Sequence, residues 1–410
     1  MLRFVLVVAA LAPLAGVGAA APPANPDPKS LEVSPAELSK ARELVQKLAS
    51  DAFIDRERAH EALSEMGRLA RPALIDGART DPDPEIRHRC QSLLPKATAA
   101  EMKARLDAFL ADTDGKYEHD LPGWSRLRAA VRGEFTMFGW TWSVRPDADK
   151  TARALFTDFL KAPGGRDLLT ALDRDRGSAG QAVAARKQQL YQMRFPRDGT
   201  PGRTPSVAEV AVVMFAESQV PSKNVPRSTA LTSVITTSGL TTAVQADDDR
   251  GRALKAVMTA WFDSRTDGVD MYSALTLANN MNNTQAAGRL AGRLLTAPGV
   301  TGFYRGNALS TIVRLKLTDQ LPAVEKALAD QTALTTTIRV VNGVQVRQTI
   351  EVRDAALATA VLLTGQDPAT YHFENLTKNA TAFSYTQGRI AEGKRDEALA
   401  KWKEWREKNP

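Results

Sequence analysis

The chain is poor in the residues that most chemistry needs. It has one cysteine and four histidines in 410 residues, and aromatics make up 6%. A single cysteine excludes an internal disulfide, so Cys90 either fills a small apolar slot between Ile86 and Leu93 or serves as a reactive thiol or ligand with His88 and His60 nearby. The slot is the expected role, because His88 lies two residues away and falls on another helix face. A Gly-x-Ser-x-Gly elbow, a His-Glu-x-x-His zinc motif, a Ser-x-x-Lys pair and a Walker loop are all missing, so no catalytic residue, metal ligand or cofactor site is assigned. His119 alone has an acid on both sides, Glu118 and Asp120, and reads as a surface loop.

Long apolar runs are also scarce. The one at the start, Phe4 to Val17, follows Arg3 and precedes Gly18-Ala19-Ala20, the pattern of a secretory signal peptide over 1–20 with cleavage expected after Ala20. No later run approaches 18 residues, so no membrane span is expected after cleavage, and the mature protein is placed in the periplasm or cell envelope. The formal charge of +7 is mild, and bases alternate with acids, as in Arg56-Glu57-Arg58. Nucleic-acid binding would need them gathered in one stripe, so no nucleic acid is expected as a partner.

What is present is helical pattern. Ser34-Pro35-Ala36-Glu37 is a capping box with Pro at the first helical position, and Leu38, Ala41, Val45 and Leu48 follow on one face. A second helix spans about Ile54 to Met66 and stops at Gly67. A third begins near Pro72. Asp81-Pro82-Asp83-Pro84 then makes a turn in which Asp83 caps a fourth helix, whose inward face is Ile86, Cys90, Leu93 and Leu94. Paired amphipathic helices hide their stripes by stacking on more of the same, which predicts an all-α chain, an α-solenoid with one inserted β-hairpin.

Ser50, Asp51, Phe53, Arg56 and Glu57, with Gly67, Pro72 and Asp81-Pro82-Asp83-Pro84-Glu85-Ile86-Arg87, resemble HEAT-like repeats, closest to a type common in exported proteins of planctomycete-like bacteria. Leu121-Pro122-Gly123-Trp124 and Gly365-Gln366-Asp367-Pro368 extend the resemblance. It implies protein–protein scaffolding and carries no catalytic residues.

The rest divides into a Pro-rich linker over 21–33, HEAT-like repeats over 34–98, a middle helical region over 99–245 and C-terminal helical repeats over 246–410. A separate helix is expected from about Ala100 to Ala111, others near 150–161, 165–174, 178–194 and 205–219, and more between Arg252 and Leu317. Asp247-Asp248-Asp249 reads as a helix cap rather than a cation site, because a calcium loop's alternating oxygen ligands are missing. Period-two alternation around Asn342-Gly343 predicts a hairpin over 335–352, either padding or part of a binding face. A last helix over 395–408 carries Trp402 and Trp405 and would cap the open end.

The expected function is a non-catalytic scaffold or protein–protein interaction module whose partner is an unknown envelope protein. The alternative is a glycan- or peptidoglycan-binding protein using the aromatic cluster 124–142. There Trp124, Trp140 and Trp142 are the candidate ligand-binding residues, and Phe138, Trp140, Trp142 and Val144 would share one face of a strand. The same pattern suits a buried element, and exposure decides between the two.

Overall fold

The computed structural model describes residues 27–133, 135–137, 140–142, 149–226, 230–341, 344–379 and 382–409. The signal peptide expected over 1–20 lies outside these residues. The chain separates into two units, 1–121 and 122–410.

The first unit holds α1 (Pro35–Lys47), α2 (Phe53–Met66), α3 (Arg71–Thr80) and α4 (Pro84–Ala111). Ser34 Oγ accepts from the Glu37 N–H while a Glu37 carboxylate oxygen accepts from the Ser34 N–H, the expected capping box. Asp83 accepts from the Glu85 N–H at 2.8 Å and Pro84 opens α4. The core joins all four helices: Ala41, Val45 and Leu48 meet Ala59 and Leu63, then Leu74, Ile86, Cys90 and Leu93. Gly77 makes the contact of α3 possible. A Cβ there would sit 2.8 Å from Cys90 Sγ and 3.0 Å from Val45 Cγ1.

Two turns in this unit are closed in the same way. Arg56 Nη1 donates to the carbonyls of Ser50 and Asp51, and Arg87 Nη1 donates to those of Asp81 and Pro82. Each arginine is the fourth residue of its helix, α2 and α4.

One boundary is corrected. The helix expected from Ala100 is continuous with the fourth, so α4 runs 28 residues through Pro95, and the division drawn at 98/99 falls inside it. An interior Pro removes one backbone donor and crowds the preceding turn, at about 3 kcal/mol. Leu93 and Ala97 are buried on either side of Pro95, and Leu106 and Phe109 further along. At about 2 kcal/mol for each large side chain, that burial outweighs the local penalty.

The second unit begins with α5 (Trp124–Arg132), which the sequence reading did not anticipate, and a short antiparallel pair, β1 (Phe135–Met137) and β2 (Trp140–Trp142). Next come α6 (Asp149–Lys161), α7 (Gly165–Arg174), α8 (Arg176–Arg194), α9 (Val207–Gln219), α10 (Ala230–Thr237) and α11 (Leu240–Ala243). Then follow α12 (Asp249–Asp263), α13 (Gly268–Asn280), α14 (Thr284–Thr296), α15 (Gly302–Arg314) and α16 (Leu321–Ala327). The unit closes with β3 (Ala333–Val341), β4 (Val344–Glu351), α17 (Val352–Leu363) and α18 (Arg395–Lys408).

Among the described residues the fold is predominantly helical, with helices packed in neighbouring pairs compatible with a helical repeat. The series α13–α14–α15 shows the pattern clearly, each helix lying against the next. Around α9 the packing also joins helices far apart in sequence. Val210 to Ala216 are buried without a break, because α6, α7, α8 and α12 surround this helix. A helix apolar on every side has to be enclosed in this way.

Asp248 caps α12 by accepting from the Gly251 N–H at 2.6 Å, the role expected for that acidic run. The hairpin pairs Val341 with Val344 and is inserted between α16 and α17; its turn residues 342 and 343 lie outside the described set. The tail helix is docked at both ends. Arg395 grips the buried Asp354 carboxylate with two hydrogen bonds of 2.7 and 2.9 Å, and Arg406 Nε meets Glu325 at 2.8 Å. Between them Trp402 is buried, its ring 5.3 Å from that of Trp405.

Candidate interaction surfaces

Of the proposed ring-stacking residues, Trp124 is corrected. It is 3% exposed, because as the first residue of α5 it turns inward onto Phe156, 5.3 Å between ring centroids. A ring enclosed there offers no face to a sugar. Trp140 pairs across β1–β2 with Met137, and Trp142 with Phe135. The side chains of Trp140 and Trp142 lie outside the described residues, as do Phe138 and Val144 entirely.

An aromatic surface stands elsewhere, on α13 and α15. Tyr272 and Tyr304 stack at 4.7 Å and 26°, and Phe303 meets Tyr272 edge-on at 5.4 Å. Tyr385, from the segment before α18, extends the group to within 6.4 Å of Phe303. Phe303 is 46% exposed. Gly306 seats Tyr385 against α15: a Cβ at that position would come within 2.8 Å of the tyrosine ring and 2.9 Å of Leu334. The Tyr385 N–H donates to Ser310 Oγ at 3.0 Å, and burial raises its phenol pKa. The hairpin starts beside the same helix, since a Cβ on Gly302 would collide with the Ala333 carbonyl.

Sequence reasoning missed this surface because its rings are far apart in the chain, whereas the 124–142 cluster is dense in sequence. The signal that was available is one Phe-Tyr step at the start of α15.

His119 is the second correction. It is buried rather than on a surface loop, and its ring bonds Asp112, 2.8 Å away and fully enclosed, instead of Glu118 or Asp120. Gly115, at φ +65°, turns the chain back over the end of α4. Asp112 then accepts from the N–H groups of Lys116 and Tyr117, and Phe109 packs against the imidazole at 5.2 Å. Cys90 fills the apolar slot under Gly77, where burial pushes its thiol up to about 11.

The most strongly charged interior lies between α8, α9 and α12. Glu217, 2% exposed, accepts from Lys187 Nζ at 2.6 Å and Trp261 Nε1 at 2.7 Å, and Arg265 Nη1 stands 3.1 Å away. Two turns earlier Glu209 takes Arg186 and Arg203 at 3.1 and 2.8 Å. Burial works to raise the Glu217 carboxyl, but Arg265 and Lys187 outweigh it and hold its pKa below the usual value. Asp270, half-buried at the start of α13, is raised by burial. Each of the four cations holds a carboxylate, although Arg186 Nε is enclosed without a partner among the described residues, so the arrangement is structural.

Among the described residues no group of three or more His, Cys, Asp and Glu is placed to hold a metal ion, and no helix is long and apolar enough to cross a membrane. No protein-family model matches the chain, and no curated protein matches it either.

Proposed function

We propose that this chain is a non-catalytic, exported scaffold or protein–protein interaction module built from HEAT-like repeats, acting on an envelope protein. The observation that carries this reading is the aromatic surface of Tyr272, Phe303, Tyr304 and Tyr385 on neighbouring helices, with Phe303 left 46% exposed. Large apolar groups kept in water on a rigid helical face are what interaction hot spots are made of, and Tyr is enriched there. The paired Arg56 and Arg87 turns support the repeat assignment, since a helical-repeat array reuses one turn chemistry in successive units. The polar outer face of α18 suits a terminal cap.

The test is capture from envelope extract with the intact protein and with the Tyr272→Ala plus Phe303→Ala double variant. A discrete protein should be retained by the first and lost by the second; equal capture would end the assignment of this face. The glycan-binding alternative no longer has Trp124 available and now rests on Trp140 and Trp142 alone. Retention on insoluble peptidoglycan that disappears in Trp140→Ala plus Trp142→Ala would favour it.

A further inference from the structure

A cleft of about 480 Å³ lies within the first unit; it is small, concave and built from five separate segments. These are the turn at 28–33, the first turn of α1 at Leu38, the stretch 68–72, the second half of α4 and the stretch 118–121. That volume falls in the range of small-molecule sites, about 300–1,000 Å³. Its walls are held in place from within. Arg68 Nη1 donates to the Leu31 carbonyl at 2.7 Å, and Arg105 is spent on Glu101 at 2.7 Å and Asp120 at 2.6 Å.

Arg71 is different. It lines the same cleft one helical turn from Arg68 and is half-buried, and its side chain makes no hydrogen bond or ion pair with any described residue. Its Nε is enclosed and has no partner among them. That enclosure closes Nε to a ligand as it does to water, and the cleft is offered the two terminal nitrogens, which are not enclosed and have no partner among the described residues. The acceptor that fits a planar fork best is a carboxylate, held by two parallel bonds. Leu31, Val33, Leu38, Pro72 and Leu121 give the cleft apolar walls, and Glu32 and Glu118 on the lining disfavour a doubly charged phosphate.

We propose that this cleft binds a small monocarboxylate with an apolar body, its carboxylate on Arg71 and its body against Leu31, Val33 and Leu38. Two sources share that chemistry, a free apolar acid and the C-terminus of a peptide. The test is calorimetric titration of the full chain with hexanoate and with acetyl-Ala-Ala-Leu acid, each beside its own amide. At least one acid should saturate at one site, with its amide weaker by about tenfold or more, and the acid that binds names the source. Arg71→Met should lose about tenfold in affinity, and Arg42→Met, whose exposed pair with Asp76 lies off the cleft, should lose nothing. The proposal is overturned if neither acid saturates below about 10 mM, if acid and amide bind alike, or if Arg71→Met binds as the parent does. Should Arg71→Met fail to fold, the acid–amide contrast in the parent decides. This inference is independent of the face on α13 and α15, and either can fail alone.

Discussion

Arg56 and Arg87 stand in equivalent places: each is the fourth residue of its helix, and each guanidinium closes the preceding turn by donating to two successive carbonyls. Charge-assisted bonds of this kind hold a helix entry at a fixed angle, so the two helices present comparable faces to their neighbours. Ala59 and Cys90, three residues after each arginine, are both buried in the shared core.

Replacing either arginine should therefore loosen one turn without abolishing the fold. Arg56→Met and Arg87→Met should each cost about 1.5–3 kcal/mol, the range for hydrogen bonds to a charged group. Urea unfolding of the two single variants and the double variant measures this, and a midpoint unchanged in both singles would show that the turns hold without their arginines.

Gly77 and Cys90 should be coupled. Gly77→Ala would drive a Cβ to 2.8 Å from Cys90 Sγ, and overpacking of this kind costs about 1–3 kcal/mol. Adding Cys90→Ala removes the opposing atom, so the double variant should lose less than the sum of the single variants. A double-mutant cycle in urea checks the sign. The enclosed thiol should also resist alkylation in the native protein and react promptly once unfolded, since burial pushes it up to about 11.

Glu217 is the residue on which the interior charges of α8, α9 and α12 converge. Glu217→Gln removes the countercharge from Lys187 and Arg265, both 4% exposed at their side chains. Leaving such charges uncompensated costs about 3–5 kcal/mol. A loss below about 1 kcal/mol would mean that the two cations find water or other acceptors.

The same site predicts a pH dependence. The folded-state pKa of Glu217 lies below its ordinary 4.5, as does that of Glu209, so their contribution is fully present above 4.5 and is lost as pH falls through the lowered values. Asp354 is raised by burial and acts in the opposite sense, losing stability as pH climbs from 3.8 through its raised value. The gap in stability between the parent and Glu217→Gln should therefore be constant from pH 7 to about 5 and shrink in more acidic buffer. Denaturant titrations across that range test it, and a gap that widened with acid would contradict the assignment.

Helix starts were legible because their signals are local. Ser34, Asp83 and Asp248 each satisfy free N–H groups within three residues, a geometry that needs nothing from the rest of the chain. The hairpin's alternation and the tail helix over 395–408 were readable for the same reason. The continuity of α4 through Pro95 was not, since a local rule argued for a break and only burial of residues on both sides of it overrides that rule. Likewise α5 was hidden behind the turn-rich Leu121-Pro122-Gly123 that precedes it.

The sequence by itself determined the helical periodicity, the caps and the alternation of the hairpin strands, all of which depend on residues within a few positions of one another. Only the tertiary structure decided that Trp124 is enclosed by Phe156, that His119 turns in to Asp112, and that the half-buried Tyr272, Tyr304 and Tyr385 gather around an exposed Phe303. Exposure belongs to packing rather than to residue type: an aromatic ring carries the same local pattern whether a neighbouring helix covers it or water does.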